Sequence, residues 1–493
     1  MVQKVGLPFA PWEPDKSTIS GVSSEALGVI RVNGKYVPDK ELLALREGVA
    51  MNDVCLGAAG FYDTNGGVQI YLGDRGKLYR IQARAPVDIS KIGGYSVNPD
   101  WGWIFEQFGT SVYATGRGLS QIQRFEMGVS TAFADVATGP GLSDTLFRVR
   151  EFMFSGEGTT LKNSCFNDPL DWDPESATGI QAAINYLPSD GGDIVIGTGG
   201  QFGLVFQERK IHRLTYAGAL DAPFQRDEIE DKRGAIGPNA ISRYGMFTFF
   251  ASEDGIRITD GAGESQGIGE GKIDRYFASN LNYSARHRVS LAVDVEKRLL
   301  RVAFPTGGNS YANKLLTYSM ADGQWTNDDI NVDLLFEAPK QGVTVDDTAA
   351  VQAIAGTTFV DGISLTVDSP VWRETRKQIM AVNSSHAVCT FDGATRAAVL
   401  ETGYGEVVPG RMGRVTEVWP LVDAATITAS ITTKYKKLSD TSANGTAVSM
   451  NEHGFCPVMA HARFMRARVM IPATTTWTEA IGIDWNARVA GGI

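Results

Sequence analysis

Apolar positions along this chain fall in short runs and in strict alternation. Ile427, Ala429 and Ile431 share one parity. Met465, Ala467, Val469 and Ile471 alternate with Arg466 and Arg468, and Ile481, Ile483, Trp485 and Ala487 alternate again. Successive side chains of a strand point to opposite faces, so a period of two predicts half-buried antiparallel sheet, here a β-sandwich-like domain over 371–493. Val29–Val37 reads VIRVNGKYV, an Asn-Gly pair between alternating apolar residues, which predicts a hairpin. Asp39 is then placed to cap a short helix ending near Asn52, with Leu42, Leu43 and Leu45 on its apolar side. Residues 1–60 are expected to form an arm or platform, joined to the C-terminal sheet and without a core of their own. The segment VWRETRKQI, from Val371, reads equally as a short helix or a charged edge strand.

Between 61 and 370 the runs are denser, and turn signals recur between pairs of short strands. They lie at Gly76, Gly118, Gly158, Arg209, Gly255, Gly308 and Gly362, with spacings of 42, 40, 51, 46, 53 and 54 residues. A period of about 40–50 residues built from short strands is the signature of β-propeller blades. One four-stranded blade cannot bury both its faces alone, whereas radial packing buries them against neighbours and leaves only short edges. The expected fold is therefore all-β. A propeller spans 61–370, the turn signals suggesting six or seven blades, and the seventh signal falls either to a blade or to the domain that follows.

Composition narrows the picture. With 43% apolar and 21% charged residues, 493 residues hold a sizeable core and are not disordered. The net charge of −10 disfavours a tight, sequence-independent grip on nucleic acid, which needs clustered Lys and Arg, but leaves room for a conduit whose walls repel DNA. Cys55, Cys165, Cys389 and Cys456 form no CxxC, which fits a reducing compartment. No apolar run reaches the ~18 residues of a membrane span, and prolines at 8, 11 and 14 interrupt any leader-like stretch.

Candidate chemistry is sparse. The glycines from Gly261 to Gly271 lie between a strand and a predicted helix at Ile273, Tyr276 and Phe277. They match neither phosphate-loop spacing, and Lys272 is followed by Ile273 rather than Ser or Thr. His453, Cys456 and His461, with His386 and Cys389 elsewhere, have zinc-compatible ligand types at spacings that structural zinc sites seldom use. Trp101, Trp103, Phe105 and Phe108 read as blade core, because no basic residues interleave them. Neither HExxH nor GxSxG occurs. No cofactor, metal or catalytic residue is assigned, and a non-enzymatic role is expected.

Two charged groups remain. Asp227, Glu228, Glu230, Asp231, Lys232 and Arg233 form a mixed cluster, suited to a subunit interface or, by its carboxylates, to glycoside chemistry. Lys434, Lys436, Lys437, Arg463, Arg466 and Arg468 form a late basic group that reads first as a solvated sheet face and also suits an acidic partner face or a DNA end.

The stretch from Phe202 to Leu281, reading FGLVFQERKIHRLTYAG, FQRDEIEDKRGAIGPNAI and MFTFFASEDGIRITDGAGESQGIGEGKIDRYFASNL, resembles a block found in tail hub or nozzle proteins of short-tailed bacteriophages, a group also called packaged-DNA stabilisation proteins. Asn163–Trp172 (NSCFNDPLDW), Ala114–Phe125 (ATGRGLSQIQRF) and the ending from Arg463 are similar to the same family. The resemblance covers 55–335 and, more weakly, the C-terminal end; 370–462 is weakly matched. It implies a structural virion protein in the phage tail, assembled in the host cytoplasm. It also implies a six-bladed propeller and a homo-oligomeric ring, six-fold by expectation, below the portal and its adaptor. That ring would carry fibres or spikes, retain packaged DNA and conduct it at ejection without reading its sequence. The alternative is a propeller-type tail-associated glycan-binding protein or glycan hydrolase, which would need acids converging on the propeller axis.

Overall fold

The computed structural model describes residues 3–175, 181–220, 222–339 and 377–489. Five consecutive four-stranded antiparallel meanders open the propeller. Blade 1 is Gly57–Tyr62, Val68–Gly73, Leu78–Gln82 and Ala85–Asp88. Blade 2 is Trp103–Phe108, Ser111–Gly116, Gln123–Glu126 and Ala134–Asp135. Blade 3 is Thr145–Val149, Phe152–Glu157, Thr160–Asn163 and Ala183–Tyr186. Blade 4 is Ile194–Thr198, Gly203–Gln207, Ile211–Tyr216 and Phe224–Glu230. Blade 5 is Ile241–Tyr244, Phe247–Ser252, Gly255–Thr259 and Gln266–Gly267. Middle strands read as continuous apolar runs, such as Leu204-Val205-Phe206 and Phe152-Met153-Phe154, because blades cover both of their faces. Outer strands are polar, because one edge faces water.

Blade 6 is Ser290–Asp294, Leu299–Phe304, Ala312–Ser319 and the first half of the strand Gln324–Pro339. That 16-residue strand does not stop there. Val332 pairs with Ala312 on one side and Asn383 on the other, and from Val332 onward the strand becomes the inner strand of a further blade. Lys377–Asn383 and Val388–Thr390 follow in that sheet, and its outer strand is Leu43–Ala44, supplied by the N-terminal arm. The described residues thus form seven blades, where the resemblance implies six and the turn signals allow six or seven. The propeller also runs past the expected boundary at 370, to Thr390.

The ring is closed by chain segments from both ends of the propeller. Ile70, Leu72, Tyr79 and Ile81 of blade 1 share a core with Leu334, Phe336, Met380 and Val382 of blade 7. Gly60 makes this approach possible, since a Cβ there would sit 2.5 Å from that of Ala338. Six of the seven turn signals prove to be the links between second and third strands of blades 1 to 6. The corresponding link in blade 7 is the turn at Ser384–Ala387, whereas Gly362 lies outside the described residues. The helix expected after Asp39 does not form. Leu43–Ala44 is extended, with Leu42 and Leu45 packed on different cores and Leu43 exposed. Pairing to the open edge of blade 7 outweighs the weak local preference for helix.

Residues after 390 build a two-layer β-sandwich with the arm. One layer pairs Ala480–Val489 with Gln3–Pro8 and Gly413–Val422, together with the hairpin Val29–Val32 and Lys35–Pro38, whose Asn33 and Gly34 both take the positive φ that such a turn needs. The other layer runs from Glu25–Leu27 through Ala398–Glu401, Phe464–Ile471 and Thr428–Lys434. Met465, Ala467, Val469 and Ile471 point inward, as their alternation predicts. Ile481 does not: Leu421 pairs with Gly482 and Val422 with Ala480, so Ile481 is the extra residue of a bulge and turns to solvent. Leu27 pairs in parallel with Asn327, which fastens this layer to the outer strand of blade 6.

Candidate functional site

A cavity of about 570 Å³ lies on the propeller axis and is lined by the inner strands of all seven blades. The inner strands are mostly apolar because they pack between neighbours, so their few polar residues stand out. Glu106 interrupts WIFEQF in blade 2, Ser242 lies in blade 5, and Glu337 interrupts LLFEAP in blade 7. Glu337 accepts hydrogen bonds from the Ser242 hydroxyl and from the Val293 N–H at 3.0 Å, which ties blades 5, 6 and 7 together at the axis. Glu106 accepts from its neighbour, the Gln107 N–H, at 3.2 Å and is also held by the backbone N–H of Arg148.

Burial pushes the Glu106 carboxyl up to about 7, opposed by the Gln107 N–H and by the charges of Lys377 and Arg148. Burial also raises Glu337, against the Ser242 hydroxyl and Lys377. Arg148, Arg150, Arg243 and Lys377 line the same cavity. They gather at one mouth because each lies where an inner strand ends: Arg148 and Arg150 flank Val149, Arg243 precedes Tyr244, and Lys377 pairs with Pro339. Burial lowers the pKa of Arg243, and no opposing charge offsets it.

The acidic segment of blade 4 is elsewhere and does not converge on the axis. Asp227 and Glu228 are exposed on the outer strand, with Glu228 3.0 Å from Lys210. Asp231 and Lys232 are exposed in the turn that follows. Glu230 is no surface residue: at 2% exposure it accepts from the Ser265 N–H at 3.2 Å and the Ser265 hydroxyl at 2.8 Å. Arg233 is half-buried and pairs with Asp254 at 2.6 Å. The register shift between Ile211 and His212 turns the end of this strand inward, which the sequence does not reveal.

The basic group also divides. Arg463 pairs with Glu406 at 2.7 Å, Arg466 with Glu401 at 3.0 Å and Arg468 with Glu25 at 3.2 Å. Lys434 bonds the Leu438 carbonyl at 2.6 Å. Lys436 and Lys437 remain exposed in the turn closed by Asp440. His453 and His461 are exposed while Cys456 is buried, and His386 is held by Asp333 at 2.6 Å. Among the described residues no group of three such side chains is placed to hold a metal. Trp103 and Phe105 are buried in the core between blades 1 and 2, as expected. The predicted helix is Asp274–Asn280, and the glycines before it let the chain pass Asp274, whose carboxylate accepts the Ile256 N–H. Among the described residues no helix is long and apolar enough to cross a membrane.

No family model and no curated protein matches this chain. Solved structures do. The extracellular domain of a hybrid two-component system from B. thetaiotaomicron aligns over 85% of this chain and 47% of that one, at 9% identity and a TM-score of 0.41. The extracellular domain of a one-component system from the same organism aligns over 77% and 43%, at 9% identity and 0.42. The β-propeller domain of Myceliophteria thermophila Cps50 (Swd1) aligns over 60% and 92%, at 8% identity and 0.38. The chain spans less than half the length of the two B. thetaiotaomicron chains. At these scores the propeller assignment stands on the sheet order.

Proposed function

We propose that this chain is a structural subunit of a short phage tail, the hub or nozzle. In this reading six copies form a ring below the portal-adaptor assembly, hold packaged DNA in place, carry fibres or spikes and conduct the DNA at ejection. The observation that carries the reading is where the resembling stretch falls. Phe202–Leu281 makes up most of blade 4, all of blade 5 and the helix Asp274–Asn280. That helix joins the propeller to the arm: Asp15 accepts the N–H groups of Arg275 and Tyr276 at 2.8 Å each, and Trp12 meets Tyr276 edge-on at 5.2 Å. The likeness thus concentrates on the joint that sets the angle between propeller and arm, which a ring subunit must hold fixed.

The DNA path in this reading lies between copies, at the ring axis. A cavity of about 570 Å³ walled by seven strands cannot admit a duplex. Exposed Asp227 and Glu228 are the ring-contact candidates that remain from the acidic cluster, and Lys436 and Lys437 are the candidates for an adaptor or DNA-facing contact.

The test is single-particle cryo-EM of the purified chain, alone and with its adaptor. A closed six-fold ring in either sample is the expected result. A monomer in both rejects the reading.

A further inference from the structure

Four cations crowd one mouth of the axial cavity of a chain whose net charge is −10. Among the described residues, no carboxylate lies within ion-pair distance of Arg148, Arg150, Arg243 or Lys377. Arg463, Arg466 and Arg468 of the sandwich, by contrast, each pair with a carboxylate.

The three arginines are held in one manner. Arg148 donates its Nε–H to the Arg150 carbonyl at 2.7 Å, Arg150 its Nε–H to the Gln201 carbonyl at 3.2 Å, and Arg243 its Nε–H to the Gly245 carbonyl at 3.0 Å. Arg148 also rests on the Phe108 ring at 4.9 Å and Arg150 on the Tyr216 ring at 5.1 Å. Each guanidinium is therefore fixed through Nε, and its terminal nitrogens are left to donate. A guanidinium held this way offers the paired donors that match a phosphate or carboxylate, and little side-chain entropy remains to be lost on binding. Deeper in the cavity stand residues that can exchange hydrogen bonds with hydroxyls: Glu106, whose carboxyl is held by the Gln107 and Arg148 N–H groups, and Asn239. A volume of about 570 Å³ lies in the range of small-molecule sites and excludes folded partners.

We propose that this mouth binds a compact anionic sugar, a phosphate- or carboxylate-bearing saccharide unit, with Arg148, Arg150, Arg243 and Lys377 taking the anion and Glu106 and Asn239 facing the hydroxyls. Arg243 is half-buried with no carboxylate paired to it, and an anion would offset its partial desolvation. The inference stands whether or not the chain closes into a ring.

The experiment is isothermal titration of the full chain with glucose 6-phosphate, glucuronate, inorganic phosphate and glucose. The two anionic sugars are expected to bind, more weakly as salt is raised, and glucose is not. Arg243→Ala and Lys377→Ala should each weaken binding about tenfold or more. Lys377 is exposed, so the second variant tests the site without threatening the fold, and a thermal melt of each variant confirms folding. Binding of glucose 6-phosphate and not glucuronate assigns the anion as phosphate; the reverse assigns carboxylate. Equal affinity for inorganic phosphate and glucose 6-phosphate would overturn the hydroxyl half of the proposal. Absence of binding by either anionic sugar up to about 10 mM, or affinities unchanged in both variants, would overturn it whole.

Discussion

Asp39 of the arm and Arg301 of blade 6 form an ion pair at 2.6 Å with both side chains almost wholly buried, at 5% and 4% exposure. Arg301 also lies over the Phe391 ring at 3.9 Å, and the Asp39 carbonyl accepts the Arg396 N–H. The pair therefore pins the arm just before Leu43–Ala44 completes blade 7. Removing one partner leaves a buried charge unpaired, which costs roughly 3–5 kcal/mol. Arg301→Met should lower stability by about that much in chemical denaturation. The double variant Asp39→Asn with Arg301→Met should recover most of the loss, and additive losses would contradict this pairing.

Ring closure makes a second demand, at Gly60. A methyl group there would meet the Cβ of Ala338 at 2.5 Å and its Cα at 2.7 Å, both on the rigid inner strand of blade 7. Gly60→Ala is expected to cost about 1–3 kcal/mol through forced separation of blades 1 and 7. Gly308, whose Cβ direction is open, is the control, and Gly308→Ala should change stability by less than about 0.5 kcal/mol.

The axial carboxyl gives a pH prediction. Glu106 titrates near 7 in the folded chain, above the ordinary value for glutamate. A raised folded pKa means that the folded state binds the extra proton. The stability it confers is thus full below the unfolded pKa and is lost as pH rises through 7. Relative to the wild type, Glu106→Gln should show a smaller fall in melting temperature between pH 5 and pH 8. An anionic ligand at the same mouth would raise the Glu106 pKa further, so the two effects can be read in one titration.

Much of this was legible in the sequence. The turn signals marked the second-to-third strand links of six blades because each demands a tight reversal between two buried strands. The sandwich strands announced themselves by alternation, with Arg466 and Arg468 outward. Blade 7 was not legible for three reasons. Its inner strand continues from blade 6 through Val332 with no turn residue to mark the passage. Its outer strand comes from Leu43–Ala44, more than 340 positions away from its partner Val388–Thr390. Asp39 has a local role, accepting the Lys40 N–H, that resembles a cap, while the partner that decides its conformation is Arg301. The axial site is not legible in the sequence because Glu106, Arg148, Arg243 and Glu337 stand far apart along the chain and meet only through the ring. The one signal available was a carboxylate set inside an apolar run, as in WIFEQF and LLFEAP.

Asp15 supplies a cap that the helix Asp274–Asn280 lacks within its own segment. Ile273 stands at the N-cap and offers no side-chain acceptor, and the Asp15 carboxylate takes the first N–H groups from 260 residues away. Asp15→Ala should cost about 1–2 kcal/mol, in the range of a lost cap. Hydrogen exchange should locate the loss in 274–281 and in the arm, and not in blades 1 to 3. Uniform loss across the chain would mean that the contact stabilises nothing local.

The acidic segment of blade 4 separates an interface role from a folding role. Asp227 and Glu228 lie on an edge strand, where charge discourages unwanted strand pairing and surface substitutions change stability by about 0.5 kcal/mol or less. Asp227→Lys with Glu228→Lys should leave the melting curve of the monomer nearly unchanged and reduce incorporation into rings. Glu230→Lys should do the opposite. Its carboxylate satisfies the Ser265 N–H and hydroxyl inside the fold, 3.8 Å from Arg233, so a buried cation there costs roughly 2–4 kcal/mol before any assembly begins. Measuring the monomer melt and ring formation side by side separates the two. If the Asp227 and Glu228 reversal leaves ring formation intact, this segment is excluded as a contact of the proposed ring.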